Sequence, residues 1–157
     1  MSTEEMKFLE VEGWRDNGIT VHGFGTRGKA CEKGSKKGWG GQPIRVGGEV
    51  FPLISTHQVH GEGVVVFGGK PQKPEDLRLR EGDALITHVP GYALGVFTAD
   101  CLPILLFDPV RMAVGIVHTG WRGTARAVCQ KALKKMAETF DITSENILEA
   151  MGPCIGP

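Results

Sequence analysis

Three side chains in this 157-residue chain could hold a metal or move protons together: His60, Cys101 and His118. Each stands at a strand end or at a break in an apolar run. His60 precedes Gly61, Cys101 follows Thr98-Ala99-Asp100, and His118 closes the apolar stretch 112–117 just before Thr119-Gly120-Trp121-Arg122-Gly123. Two imidazoles and a thiolate give zinc three protein ligands and leave a fourth position for water, which is the catalytic rather than the structural pattern. Their separations along the chain neither favour nor oppose such a site. Cys101 alone also reads as a buried, inert thiol, or as a nucleophile served by a histidine.

Other residues narrow or widen that reading. His57 and His60 would share a face on a helix, but residues 52–60 predict a strand, where they point to opposite faces. At most one of the two then belongs to a given site. His22 and His88 read as structural, hydrogen-bonded histidines. Asp83 and Asp100 are candidates for orienting a ligand or moving a proton, and each could equally cap a turn. Arg122, with Gly120, Gly123 and the N–H groups of a following helix, would form an anion pocket. Trp121 beside it reads as a core residue or a stacking surface.

A glycine motif competes for attention. Gly23-Phe24-Gly25-Thr26-Arg27-Gly28 matches G-x-G-x-x-G, and residues 23–30 approach the P-loop pattern. Ala30 stands where the P-loop needs Ser or Thr, and no apolar-periodic helix follows. What remains is Arg27 and nearby backbone amides, which could face an anion.

The elements that must position these residues are legible as apolar periodicity. Strands are predicted over residues 18–23, 50–60, 63–67, 83–88, 112–117 and 147–151. The apolar run 92–108 is expected to break at Pro103 or to lie at a sheet edge there. Residues 23–48 and 68–82 read as loops. One helix is predicted over 124–140, with Cys129, Ala132, Leu133, Met136 and Phe140 on one face. Continuous apolar strands with a helix predict an α/β fold, a mixed sheet covered on both faces.

Composition bounds the rest. The length suits one domain, and 41% apolar and 23% charged residues fit a globular chain. Eighteen basic and eighteen acidic residues balance, which removes the electrostatic case for nucleic acid or an anionic membrane. No apolar run approaches a membrane span, and the acidic N-terminal stretch lacks a signal's apolar region. The expectation is a cytoplasmic protein. Cys31, Cys101, Cys129 and Cys154 are widely spaced and read as thiols, not as a disulfide framework or a zinc ribbon. Twenty-three glycines imply tight turns or close backbone approach to a ligand.

Five strings occur in an informative order: Gln58-Val59-His60-Gly61, Gly82-Asp83-Ala84-Leu85-Ile86-Thr87, Thr98-Ala99-Asp100-Cys101-Leu102-Pro103, Val117-His118-Thr119-Gly120-Trp121-Arg122-Gly123 and Gly152-Pro153-Cys154-Ile155-Gly156. They resemble the motifs of the YfiH-like laccase-domain family, whose members also carry the labels polyphenol oxidase, purine nucleoside phosphorylase and peptidoglycan editing factor. His22-Gly23-Phe24-Gly25-Thr26-Arg27 is more loosely similar to its N-terminal signature. The resemblance implies a mixed α/β sandwich with helices outside. It implies one zinc on His60, Cys101 and His118, which would also be the catalytic residues. It implies phosphorolysis of purine nucleosides, methylthioadenosine and inosine among them, and deamination of adenosine. Arg122, Arg27, Asp83 and Asp100 are then the candidate substrate-binding residues, and the partners are a purine nucleoside and phosphate. A monomer is expected, with weak self-association as the alternative.

Two departures accompany the resemblance. The region that carries an Asn-Arg pair in the family is shortened here into the glycine-rich loop, leaving Arg27 or Arg45 as substitutes for a phosphate-holding arginine. The family also continues past the Gly-Pro-Cys-Ile-Gly motif, so residues 1–157 match a single domain without its C-terminal strands. Two alternatives stand beside the zinc enzyme: a Cys101 hydrolase with His118 as base acting on cell-wall precursors, and a non-catalytic zinc- or nucleoside-binding module. A lone His/His/Cys set does not supply a multicopper cluster.

Overall fold

The computed structural model describes residues 8–19, 21–25, 43–46, 48–68 and 72–156. Its centre is a five-stranded mixed sheet made of β6 (Val64–Phe67), β7 (Ala84–Thr87), β9 (Leu102–Asp108), β10 (Ala113–Thr119) and β11 (Leu148–Met151), in the order β11-β9-β10-β7-β6. The β6–β7 pair is parallel and the other pairs are antiparallel. Three two-stranded pairs surround it. They are β1 (Phe8–Leu9) with β2 (Phe24–Gly25), β3 (Ile44–Val46) with β4 (Glu49–Phe51), and β5 (Leu53–Ile54) with β8 (Ala93–Leu94). Among the described residues there are three α-helices, α1 (Pro74–Leu77), α2 (Trp121–Ala125) and α3 (Val128–Phe140), besides two short 3-10 turns.

Strand alternation splits the core between two faces of the sheet. Ala84, Ile86, Ile104, Leu106 and Val117 pack on one side with Val128, Ala132 and Met136 of α3. Leu85 points the other way, into a cluster with Ile54, Val65, Phe67 and Leu77. Leu105 and Phe107 meet Trp14 on that second side. Every residue of β7 is buried, which is why its sequence reads as an unbroken apolar run. At Gly115 an added Cβ would lie 3.0 Å from the Met136 sulfur, so glycine lets α3 approach the sheet closely.

Several sequence expectations are corrected. The stretch 52–60 is not one strand: it holds β5 and, further on, an isolated bridge from His57 to Glu81. Among the described residues of 18–23 there is no strand; β2 begins at Phe24. Pro103 neither breaks a strand nor marks an edge, since β9 runs through it between β10 and β11. Its carbonyl accepts from the Gly152 N–H at 2.9 Å, so its missing N–H faces the chain just past the end of β11 and not the paired body of that strand. The run 92–108 breaks instead between β8 and β9. The single helix predicted over 124–140 is two helices, because Ala127 adopts a left-handed backbone with φ 58° and redirects the chain. The loop predicted over 68–82 contains α1, with Pro74 at its first turn.

Candidate metal centre

Strand register assembles the site at one end of β10. Val117 pairs with Ala84 on one side, and Thr119 pairs with Leu102 on the other. The next positions in each ladder set His118 against Asp83 and Gly120 against Cys101. Both consequences are visible in side-chain contacts. The Nδ1 of His118 lies 2.8 Å from an Asp83 carboxylate oxygen. A Cβ added at Gly120 would lie 2.7 Å from the Cys101 sulfur and 3.6 Å from a His60 ring carbon. Any side chain at 120 would therefore displace the thiol.

His60 arrives on the turn that leads into β6. That turn wraps the Asp83 carboxylate, which accepts the N–H groups of Gly61 at 2.8 Å, His60 at 3.0 Å and Val59 at 3.2 Å. His60 has φ 57°, a left-handed conformation costing roughly 1–2 kcal/mol for a residue with a Cβ. The bonds to Asp83 hold it there. One fully buried carboxylate thus fixes both histidines: His118 through its ring, His60 through its backbone. Burial would raise the Asp83 pKa. The hydrogen bonds from His118, Gly61, Val59 and His60 outweigh it and hold the carboxyl below its usual range. An ionised Asp83 can only accept, so His118 carries its proton on Nδ1 and its Nε2 is left as a ligand atom.

The ligand atoms of His60, Cys101 and His118 all lie within 4.8 Å of one another. The two imidazole rings meet edge to face, with centroids 4.8 Å apart. His118 is buried, Cys101 half-buried and His60 exposed, so the group closes on the protein side and opens toward solvent. Two imidazole nitrogens and a thiol, with one imidazole oriented by a carboxylate, form a donor set that suits zinc with an open coordination position.

The group lines a cleft of about 640 Å³ together with His57, Gln58, Arg78, Phe97 and Asp100. The Gln58 side chain pins Phe97 by its main chain: its amide donates to the Phe97 carbonyl at 2.9 Å and accepts the Phe97 N–H at 2.8 Å. The structure distributes the sequence candidates unevenly. Asp83 lies behind the histidines, and Asp100 is an exposed carboxylate on the cleft wall. His57 also lines the cleft, since the strand that would have turned it away is absent, but it is not one of the three converging ligands. Arg122 is outside the cleft lining, its guanidinium 4.5 Å above the exposed Trp121 ring. Trp121 is 74% exposed and therefore not a core residue. Arg27 lies outside the described residues.

His22 bonds the Val11 carbonyl and packs on Trp14, and His88 packs on Phe140, as structural histidines do. Sequence reasoning passed over Arg78. Lys73-Pro74-Glu75-Asp76, a proline followed by acidic residues, was the available signal for the helix that delivers it.

Residues 45–157 match the family described as multi-copper polyphenol oxidoreductase laccase. The chain belongs to this family. Within this laccase-domain family, it is 44% identical over 78 residues to a purine nucleoside phosphorylase of Clostridium acetobutylicum, a match covering 50% of this chain and 33% of that protein. It is 33% identical over 116 residues to adenosine deaminase RL5 of an unknown prokaryotic organism, covering 71% and 44% of the two chains. Its fold is similar to the crystal structure of the Bacillus licheniformis hypothetical protein YfiH, with TM-score 0.62, 28% identity, and 66% and 40% of the two chains covered. The matches therefore span less than half the length of these relatives. The YfiH-like mixed α/β fold is shared with them, as the sequence motifs implied. Among the described residues, no helix is long and apolar enough to cross a membrane.

Proposed function

We propose that the chain is a cytoplasmic zinc enzyme of purine nucleosides, splitting adenosine, inosine or methylthioadenosine with phosphate and deaminating adenosine as a second activity. The observation that carries this reading is the convergence of His60, Cys101 and His118 within 4.8 Å at the floor of an open cleft, with Asp83 behind them. The names of the relatives, purine nucleoside phosphorylase and adenosine deaminase, supply the substrate class. Zinc held there supplies a Lewis acid for a phosphate oxygen or a water.

The chain's own residues do the rest. Asp83 keeps the proton of His118 on Nδ1 and fixes the turn that carries His60. Phe97, positioned by Gln58, offers an aromatic edge or face to a planar base. Asp100 faces the cleft as an acceptor for ribose hydroxyls or the base. In phosphorolysis, a phosphate oxygen bonds to ribose C1′ as the C1′–N9 bond breaks, and the base leaves with a proton.

A second reading is favoured by one observation. Asp83, His118 and Cys101 form a carboxylate–imidazole–thiol sequence, which is also the layout of a cysteine hydrolase acting here on cell-wall precursors. That reading leaves His60 without a task, whereas the metal reading uses all three converging groups. Incubation of the zinc-loaded protein with adenosine and phosphate, with products separated chromatographically, tests the proposal. The expected products are adenine with ribose 1-phosphate, plus inosine, all abolished by a chelator and in Cys101→Ala. No turnover of adenosine, together with hydrolysis of a cell-wall precursor in a parallel assay that resists the chelator but not alkylation, supports the hydrolase. Zinc without turnover supports a binding module.

A further inference from the structure

We propose that Arg78 holds the phosphate in this cleft. The proposal takes the identity of the anion from the phosphorolysis reading above and its position from the fold.

Arg78 follows α1 directly, and the segment after it is laced to the strand side of the cleft. The His57 N–H donates to the Arg80 carbonyl at 2.9 Å, and the Gly82 N–H returns a bond to the His57 carbonyl at 3.0 Å. The Thr56 hydroxyl donates to the Gly82 carbonyl at 2.7 Å. Asp83 comes next. One short, firmly tied segment thus delivers Arg78 to the cleft wall and Asp83 to the back of the metal group. Leu77, buried to 2% exposure, anchors its other end in the core.

The chemistry of Arg78 fits an anion. It is the one lysine or arginine among the described residues lining the cleft. It is half-buried, and among the described residues no carboxylate pairs with it. A guanidinium partly withdrawn from water gains from an oxyanion partner, and its planar fork can take two phosphate oxygens at once. Of the arginines singled out from the sequence, Arg122 is stacked on Trp121 at the surface, Arg45 lies on β3 outside the cleft lining, and Arg27 lies outside the described residues.

The test uses zinc-loaded protein, with initial rates measured against inorganic phosphate and separately against adenosine. Inorganic phosphate is also titrated calorimetrically without nucleoside. Arg78→Ala is expected to raise both the KM and the Kd for phosphate by about ten- to a hundredfold, the worth of a charged hydrogen-bonding partner. The KM for adenosine should stay within about twofold, and Arg78→Lys should recover part of the phosphate affinity. Zinc content and thermal unfolding confirm that each variant is folded and loaded; should Ala destabilise, Arg78→Gln carries the same readout on a longer stem. A wild type that binds phosphate without turnover, and loses that binding in Arg78→Ala, upholds Arg78 and removes phosphorolysis. Phosphorolysis whose phosphate KM is unmoved in Arg78→Ala overturns Arg78 and keeps phosphorolysis. A wild type that neither binds nor uses phosphate overturns both.

Discussion

The Asp83 carboxylate reaches both histidines of the converging group. It orients His118 and shapes the turn of His60. Asp83→Asn keeps the volume but replaces one acceptor oxygen by a donor and removes the charge. Outer-shell changes of this kind cost about 10–100-fold in metal affinity. Competition with a chromophoric chelator should read that loss, and an affinity within about twofold of wild type would refute the role given to Asp83. The cysteines differ in a way that can also be read. Burial, and then the Glu149 carboxylate, push the Cys129 thiol up. The folded protein therefore favours the neutral thiol, and the stability this contributes is present below the ordinary thiol pKa and lost as pH rises through the raised one. Less thiolate at a given pH means slower alkylation. Peptide mass spectrometry after brief iodoacetamide treatment near neutral pH should find Cys154, which is exposed, modified well before Cys129.

At the scale of elements, the strands were far more legible than their connections. β7 and β10 read close to their observed bounds because largely buried strands produce continuous apolar runs, whereas β9 is legible only as part of the longer run 92–108, with its break misplaced at Pro103. The helix over 124–140 was found but not divided, because Ala127 carries no sign of its left-handed backbone; glycine or asparagine would have announced it. Ala127→Gly should relieve that strain at the cost of a more flexible unfolded chain, for a net gain of about 0.5–1 kcal/mol. Chemical denaturation measures it, and a loss of stability would show that the α2–α3 junction is held by something other than backbone preference. His60, Cys101 and His118 were singled out from strand ends and breaks; Cys101 and His118 do lie at the start of β9 and the end of β10, whereas His60 sits on a turn because the strand expected to end there is absent. Arg78 was not legible, because α1 is four residues long and too short to show a periodicity. The burial of Asp83 behind the site was hidden too, since only strand pairing sets it against His118.

Across the whole molecule, the site joins distant parts of the chain: the turn before β6, the start of β9 and the end of β10. A metal there binds the folded state and not the unfolded one, so it should raise thermal stability by mass action. Zinc added to stripped protein is expected to raise Tm, with no such response in Cys101→Ala; equal Tm with and without zinc would contradict a structural link between these segments. With eighteen basic and eighteen acidic residues in balance, the local chemistry of the cleft is left to select the ligand. The central claim, that His60, Cys101 and His118 hold one zinc, is tested most directly by zinc-edge X-ray absorption on the zinc-loaded protein. The expected first shell is one sulfur at about 2.3 Å and two imidazole nitrogens at about 2.0–2.1 Å, with a further light atom completing four-coordination. A spectrum without zinc–sulfur scattering, or one unchanged in Cys101→Ala, would contradict it.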